Sequence, residues 1–341
     1  MYSVWFTGQE FDHLNKDSVN LYTDDVSSNF NYKTPSLKDT KFVSFAESVF
    51  NGRRLGNLMF NLAALFYVAE HSNRTAVLPV RIPIRWLDEY FEDSTLMRLP
   101  NEFLYERNRH PILKERFGPV VYDPMFRNPH FEPRLEKALA LLIDGYFQSF
   151  NYTIGHENKL KREFTFKDQT KEAVEKFIDV HKSDCSSKLP IKTVGVHVRR
   201  GDFLKNAAVD YGFTVVNEDY INYTVNYFHE FFNTNSQSFI IYFLCSDDIA
   251  WVNRTIVYLS LAQNLENTKF VFSIGHDAMF DMYLMSKNDG VIMSTGSFSW
   301  WSAWLANTTT LYYSKFPRTN SQFRRNFDPK LYYNPEWIGY P

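Results

Sequence analysis

Apolar residues along this chain fall into short runs separated by amphipathic stretches. FVSFAESVF (42–50) reads as a first strand. Leu58, Met59, Leu62, Leu65, Phe66 and Ala69 then share one helical stripe between Leu58 and His71, and Ala76–Val80 reads as the next strand, completing a βαβ unit. Prolines break up residues 81–130. Residues 138–146 are apolar and lead into GYFQSF, and Gln169–His181 has the period of an amphipathic helix. The Ser/Pro/Lys stretch Asp184–Lys192 sets the expected boundary between a lobe at 42–185 and a second at 190–341, after a polar arm at 1–41.

The second half repeats one theme, an apolar strand ending in a polar cluster. TVGVHV (193–198) runs into Arg199, Arg200, Gly201 and Asp202. FIIYFLC (239–245) runs into Ser246, Asp247 and Asp248. GVIMS (290–294) runs into Thr295, Gly296, Ser297 and Phe298, then a helix from Ser299 to Ala306. Val194, Val196 and Val198 alternate with Gly195 and His197, which predicts a strand with one buried face. Helical patterns at Asp219–Phe232 and Thr255–Gln263 and a strand from Lys269 complete an α/β alternation. A mainly parallel sheet follows, and it delivers all three clusters to the edge where such sheets bind ligands.

Composition narrows the partners. The chain has 341 residues, 44% hydrophobic and 22% charged, enough for two globular domains. Its formal net charge of −2 gives the surface as a whole no match for nucleic acid, so an anionic ligand must be held by a local cluster. Aromatic residues make up 18%, a surplus that can line a sugar-binding cleft as well as fill a core. With only Cys185 and Cys245, a disulfide-dense framework or cysteine zinc cluster is excluded; an oxidising compartment would allow one bridge between them, but Cys245, inside an apolar run, is expected as a buried thiol. No segment reaches the roughly 18 apolar residues of a membrane span, and MYSVWFTGQEFDHL lacks the pattern of a signal peptide. Sequons at Asn73, Asn151, Asn222, Asn253 and Asn307 lean the other way, towards a secretory lumen.

The clusters allow specific chemistry, each with a plainer reading beside it. Arg199 and Arg200 suit a diphosphate, since each guanidinium donates two parallel hydrogen bonds; a solvated turn with a local Arg–Asp pair is the alternative. Thr295, Gly296 and Ser297 offer hydroxyls and backbone donors at a helix start. Asp247 and Asp248 either accept from guanine or ribose or cap the helix near Trp251. His197 either donates to the nucleotide or is a satisfied core histidine. Trp300, Trp301 and Trp304 read as core, with a sugar-stacking wall as the lesser use. The turn Gly52–Gly56 either presents N–H groups to an anion or is simply tight. No D-x-D, H-E-x-x-H, C-x-x-C or G-x-S-x-G occurs, so metal-diphosphate, zinc hydrolase, redox and serine-esterase chemistry find no motif.

Taken together, RRLGNLMFNLAALFYVA (53–69), LLIDGYFQSFNY (141–152), VGVHVRRGDF (194–203), YFLCSDDIAWV (242–252), DMYLMSKNDGVIMSTGSFSWWSAWLA (281–306), LYYSKFP and PEWIGY resemble the α-1,2-fucosyltransferases of glycosyltransferase family 11, within the wider α-1,2/α-1,6/protein O-fucosyltransferase superfamily. The resemblance implies a GT-B fold of two Rossmann-like lobes. It also implies GDP-β-L-fucose as donor, inversion to an α-L-fucoside on a terminal galactose, no metal or other cofactor, and a Golgi setting. Carried over residue by residue, Arg199 and Arg200 neutralise the β-phosphate and Asp202 orients them; His197, Ser246, Asp247 and Asp248 contact the nucleoside; Thr295, Gly296, Ser297 and Ser299 hold the diphosphate. Arg54 and Asn57 face the donor from the first lobe, and no base is identified. The family's G-R-L-G-N-Q-M-F departs here by an additional arginine and by Leu58 in place of glutamine, and Lys287, Asn288 and Asp289 replace a usual Cys and His. A different acceptor (a protein hydroxyl or another sugar) and a GDP- or glycan-binding pseudoenzyme are the alternative readings.

Overall fold

The structure, a computed structural model, describes residues 40–51, 53–80, 87, 91–105, 110–118, 120–128, 133–234, 237–263 and 265–341. The expected polar arm, except residues 40 and 41, and Gly52 lie outside the described residues.

Two sheets carry the chain. The first comprises β1 (Phe42–Phe45), β2 (Thr75–Pro79), β3 (Met97–Leu99), β4 (Ile112–Lys114) and β5 (Ala140–Asp144), in the order β3-β2-β1-β5-β4. The second comprises β6 (Ile191–Val198), β7 (Phe239–Ser246), β8 (Thr268–Phe272), β9 (Gly290–Met293), β10 (Thr309–Tyr312) and β11 (Ile338–Gly339), in the order β11-β10-β9-β6-β7-β8. All the pairings within both sheets are parallel. In the first sheet the strand order descends on both sides of the central β1–β5 pair; in the second it reverses once, between β6 and β9. At such a switch point the neighbouring connections leave in opposite directions and open a crevice beyond the carboxyl ends of the strands.

Two expectations are corrected by position in the sheet. The first strand stops at Phe45 rather than continuing to residue 50, and 47–50 form a 3-10 turn. Glu47 and Ser48 are exposed and have no place in a strand covered on both faces. Strand β6 is buried on both faces from Thr193 to Val198, not on one. It lies between β9 and β7 with helices above and below, so alternation is not required of it. Gly195 marks the closest helix approach: a Cβ there would lie 2.9 Å from the Met285 sulfur.

The lobes are joined by helices as well as by chain. Helix α1 (Leu55–His71) is buried almost all round, because it packs on its own sheet and on α6 (Ser297–Ala306) of the other lobe. Phe60 meets Trp300 and Trp301 at ring-centroid distances of 4.5 and 5.0 Å, and both tryptophans are fully buried. Each such ring contributes on the order of 2 kcal/mol of burial. Trp300 Nε1 donates to the Tyr332 carbonyl at 3.0 Å. Between these, α2 (Asp168–Ser183), which precedes the expected boundary, packs on α5 (Ala278–Ser286) through Phe177 and Phe280. The other helices of the second lobe used below are α3 (Glu218–Asn233) and α4 (Ile249–Gln263). Cys185 and Cys245 are free thiols, Cys245 buried within β7.

Candidate functional site

Register brings the three clusters of the second lobe together. His197 pairs with Cys245 and Val198 with Ser246 on one side of β6, while Val196 pairs with Ile292 on the other. The residues that follow these strands therefore emerge side by side at the β6–β9 switch point.

Both arginines are held by carboxylates. Arg199 reaches Asp247 through Nη1 at 2.8 Å and Asp202 through Nη2. Arg200 donates from Nε to Asp248 at 3.2 Å and from Nη1 to the Val216 carbonyl at 3.2 Å, and its guanidinium lies 4.0 Å from the centre of the Trp251 ring. The Arg200 N–H donates to Asp247 at 2.8 Å. Gly201 leaves room for this, since a Cβ at that position would run into the Asp247 carboxylate. Each guanidinium has five N–H donors, so both keep donors for a ligand after these bonds.

Several expected contact groups have other work. Asp248 accepts from the Trp251 N–H at 3.1 Å and caps α4, the plainer of its two readings. Ser246 Oγ donates to the Val198 carbonyl at 2.8 Å and accepts from the Asp248 N–H at 2.9 Å, so it shapes the turn. Thr295 is almost fully buried and donates to the Thr214 carbonyl at 2.8 Å. Ser299, grouped in the sequence with the diphosphate residues, is wholly buried and its hydroxyl donates back to the carbonyls of Ser294 and Gly296 at 3.1 and 3.3 Å. It turns inward at the third residue of α6, two positions beyond Ser297.

The remaining residues meet across the cleft. Helices α1 and α6 both begin there, and neither has a side-chain cap, so their first N–H groups face the cleft without an intrahelical partner. Gly296, at φ +102°, turns the chain into α6 in a conformation that disfavours a side chain. Gly56 abuts that start closely enough that a Cβ would lie 2.7 Å from the Ser297 carbonyl carbon. Ser297 Oγ donates to Asn57 Oδ1 at 2.9 Å, which also accepts from Gln148 Nε2 at 2.8 Å. Arg54 Nη2 lies 3.2 Å from Asp202 Oδ2.

His197 stands just behind this edge. Its Nδ1 is 3.0 Å from Ser294 Oγ and its ring lies 5.0 Å from that of Phe298. Burial, and then the neighbouring Arg199 guanidinium, lower its pKa to about 3, so the ring is neutral at physiological pH.

Sequence reasoning missed Ser294, Gln148 and Trp251. Ser294 Oγ accepts from the Arg199 N–H at 3.0 Å while facing His197, a role that β6–β9 pairing creates and local sequence does not announce. Gln148 was visible only as part of GYFQSF. Among the described residues no three His, Cys, Asp or Glu side chains converge as metal ligands.

The sequence model described as glycosyl transferase family 11 matches residues 127–341. The chain belongs to that family. It is 26% identical to the galactoside 2-alpha-L-fucosyltransferase SEC1 of Bos taurus, covering 84% of this chain and 71% of the relative. Galactoside alpha-(1,2)-fucosyltransferase 2 of Oryctolagus cuniculus is 25% identical, covering 84% and 74%. Among solved structures, an Arabidopsis thaliana FUT1 mutant in complex with GDP superposes with a TM-score of 0.52 at 14% identity, over 80% of this chain and 70% of that one. POFUT1 in complex with GDP gives 0.50 at 12% identity, over 80% and 98%. The fold is thus GT-B, two Rossmann-like lobes facing across a cleft. In this family 11 glycosyltransferase the arginine cluster occupies the switch point of the second lobe.

Proposed function

We propose that this glycosyltransferase moves L-fucose from GDP-β-L-fucose to a hydroxyl of a terminal galactoside, with inversion to an α-1,2 linkage. The observation that carries the reading is the meeting of Arg199 and Arg200 with two uncapped helix starts, across a cleft between Rossmann-like lobes. Cationic forks and free N–H groups at one point favour a diphosphate. The names of the family relatives, galactoside fucosyltransferases, support the donor sugar and the acceptor class.

In the proposed step the bond between the anomeric carbon and the β-phosphate oxygen breaks, and the galactose hydroxyl oxygen bonds to that carbon from the opposite face. Its proton passes to a base or solvent, and GDP leaves with the bonding pair. Charge grows on the β-phosphate as that bond lengthens. Guanidiniums already fixed by Asp202, Asp247 and Asp248 stabilise it without reorganising. Ser297 and the amides at the start of α6 complete the diphosphate cradle, and His197 with Asp247 faces the nucleoside. No metal is assigned a role. The setting we propose is the Golgi lumen; among the described residues no helix is long and apolar enough to cross a membrane.

The test is GDP release by the full chain, with GDP-fucose and a panel of β-galactosides, with and without EDTA. Acceptor-dependent, EDTA-resistant release with an α-1,2-linked product is expected. GDP binding without turnover on any galactoside would overturn the reading, and loss in EDTA restored by Mn²⁺ would overturn its metal-free part.

A further inference from the structure

In the first sheet β1 and β5 are central neighbours, and the segments beyond their carboxyl ends include 53–57 and 145–148. These segments face the donor cluster: Arg54 pairs with Asp202, Asn57 accepts from Ser297 of the second lobe, and Gln148 donates to the same Asn57 oxygen. Tyr146, two residues before Gln148, is 40% exposed.

An exposed tyrosine on a loop is ordinarily mobile and uninformative. This one is fixed at both its ring and its backbone. The Arg53 guanidinium lies 4.5 Å from the ring centre. Arg53 is itself nearly buried and immobilised, by Asp144 Oδ1 and Asn61 Oδ1, each at 3.2 Å, and by the Gly145 carbonyl. The Tyr146 backbone is clamped by Glu115, which accepts from the N–H groups of Tyr146 and Phe147 at 2.8 and 3.1 Å. Glycine is needed at 145, where a Cβ would lie 2.5 Å from that of Glu115. One face of the ring thus rests on a buried cation, while no described residue stacks on the other.

We propose that Tyr146 is the platform on which the acceptor sugar stacks. The inference rests on the transferase reading above and assigns its acceptor subsite. The chemistry fits a galactoside: its axial O4 gathers the C–H groups of C3, C4 and C5 on one face, an apolar patch that covers an aromatic ring. A ring held in place in advance loses little entropy on binding. The additional arginine at 53 gains a purpose from this. Arg54 points across the cleft, while Arg53 turns into the first lobe and supports the platform.

The experiment measures binding of N-acetyllactosamine to the GDP-loaded full chain by calorimetry, beside transfer kinetics. Tyr146→Ala is expected to weaken acceptor binding, and raise the acceptor KM, about tenfold, with GDP affinity unaltered. Tyr146→Phe, which keeps the ring, restores binding to within about threefold of the wild type. Unaltered acceptor binding in Tyr146→Ala, no binding by the wild type, or an equal loss of GDP affinity would overturn the assignment. Binding that depends on Tyr146 without any transfer would leave the subsite standing and sink the transferase reading instead.

Discussion

Arg54 and Asp202 are paired across the cleft, and the second oxygen of the same carboxylate takes Arg199. One side chain of the R-R-G-D turn is thus shared between a cation of each lobe. Arg54 is 66% exposed, so the pair itself contributes at most about 1 kcal/mol to stability. Its value is in aiming Arg199. Asp202→Asn should therefore leave the thermal unfolding midpoint almost unmoved while kcat falls at least about tenfold. Measuring both on one preparation decides the matter, since parallel losses would make Asp202 a structural residue only.

Gly56 fixes how closely the two helix starts approach. Its absent Cβ would lie 2.7 Å from both the carbonyl carbon and Oγ of Ser297, and a backbone atom cannot swing aside. Gly56→Ala should cost about 1–3 kcal/mol in denaturant unfolding, and weaken GDP binding more than it weakens acceptor binding. Wild-type GDP affinity in a destabilised Gly56→Ala protein would show that the spacing serves the fold alone.

Much of this arrangement was legible along the chain, and the reason is physical. Parallel strands carry their polar ends to one edge, so an alternation of apolar runs and clusters is enough to group Arg199, Asp247 and Ser297 before any coordinates exist. Which group serves which partner was not legible. Ser299 and Ser297 look equivalent in S-F-S, yet helical rotation buries one and turns the other to Asn57. The meeting of Arg53 with Tyr146 joins residues far apart in the chain, through the pairing of β1 with β5 that the proline-broken region between them obscured. The two-faced burial of β6 escaped for a related reason, since its alternation looks the same whether one face is covered or both.

Arg200 does more than carry charge. Its planar head stacks on Trp251 and divides its donors between Asp248 and the Val216 carbonyl. A lysine keeps the charge but offers neither the plane nor the fork. Arg200→Lys should lose about 10- to 100-fold in kcat/KM for GDP-fucose, and Arg200→Ala more. Kinetics of the two variants side by side give the answer: a lysine enzyme equal to wild type would mean that a point charge suffices.

His197 makes the stability of this protein depend on pH with a definite sign. Burial first, and Arg199 second, hold its folded pKa at about 3, against an ordinary value of 6.5. Between those limits the unfolded chain binds a proton that the folded chain refuses. The contribution is therefore fully present above about pH 6.5 and is lost progressively as the pH falls towards 3, at about 1.4 kcal/mol per unit. His197→Gln, neutral throughout and able to bond Ser294, should lack that slope. Denaturant unfolding from about pH 7 to about pH 4.5 should show the wild type losing about 2–3 kcal/mol more than the variant. Equal losses would place the acid sensitivity elsewhere and allow the ring to be protonated in the folded state, which its burial beside a cation argues against.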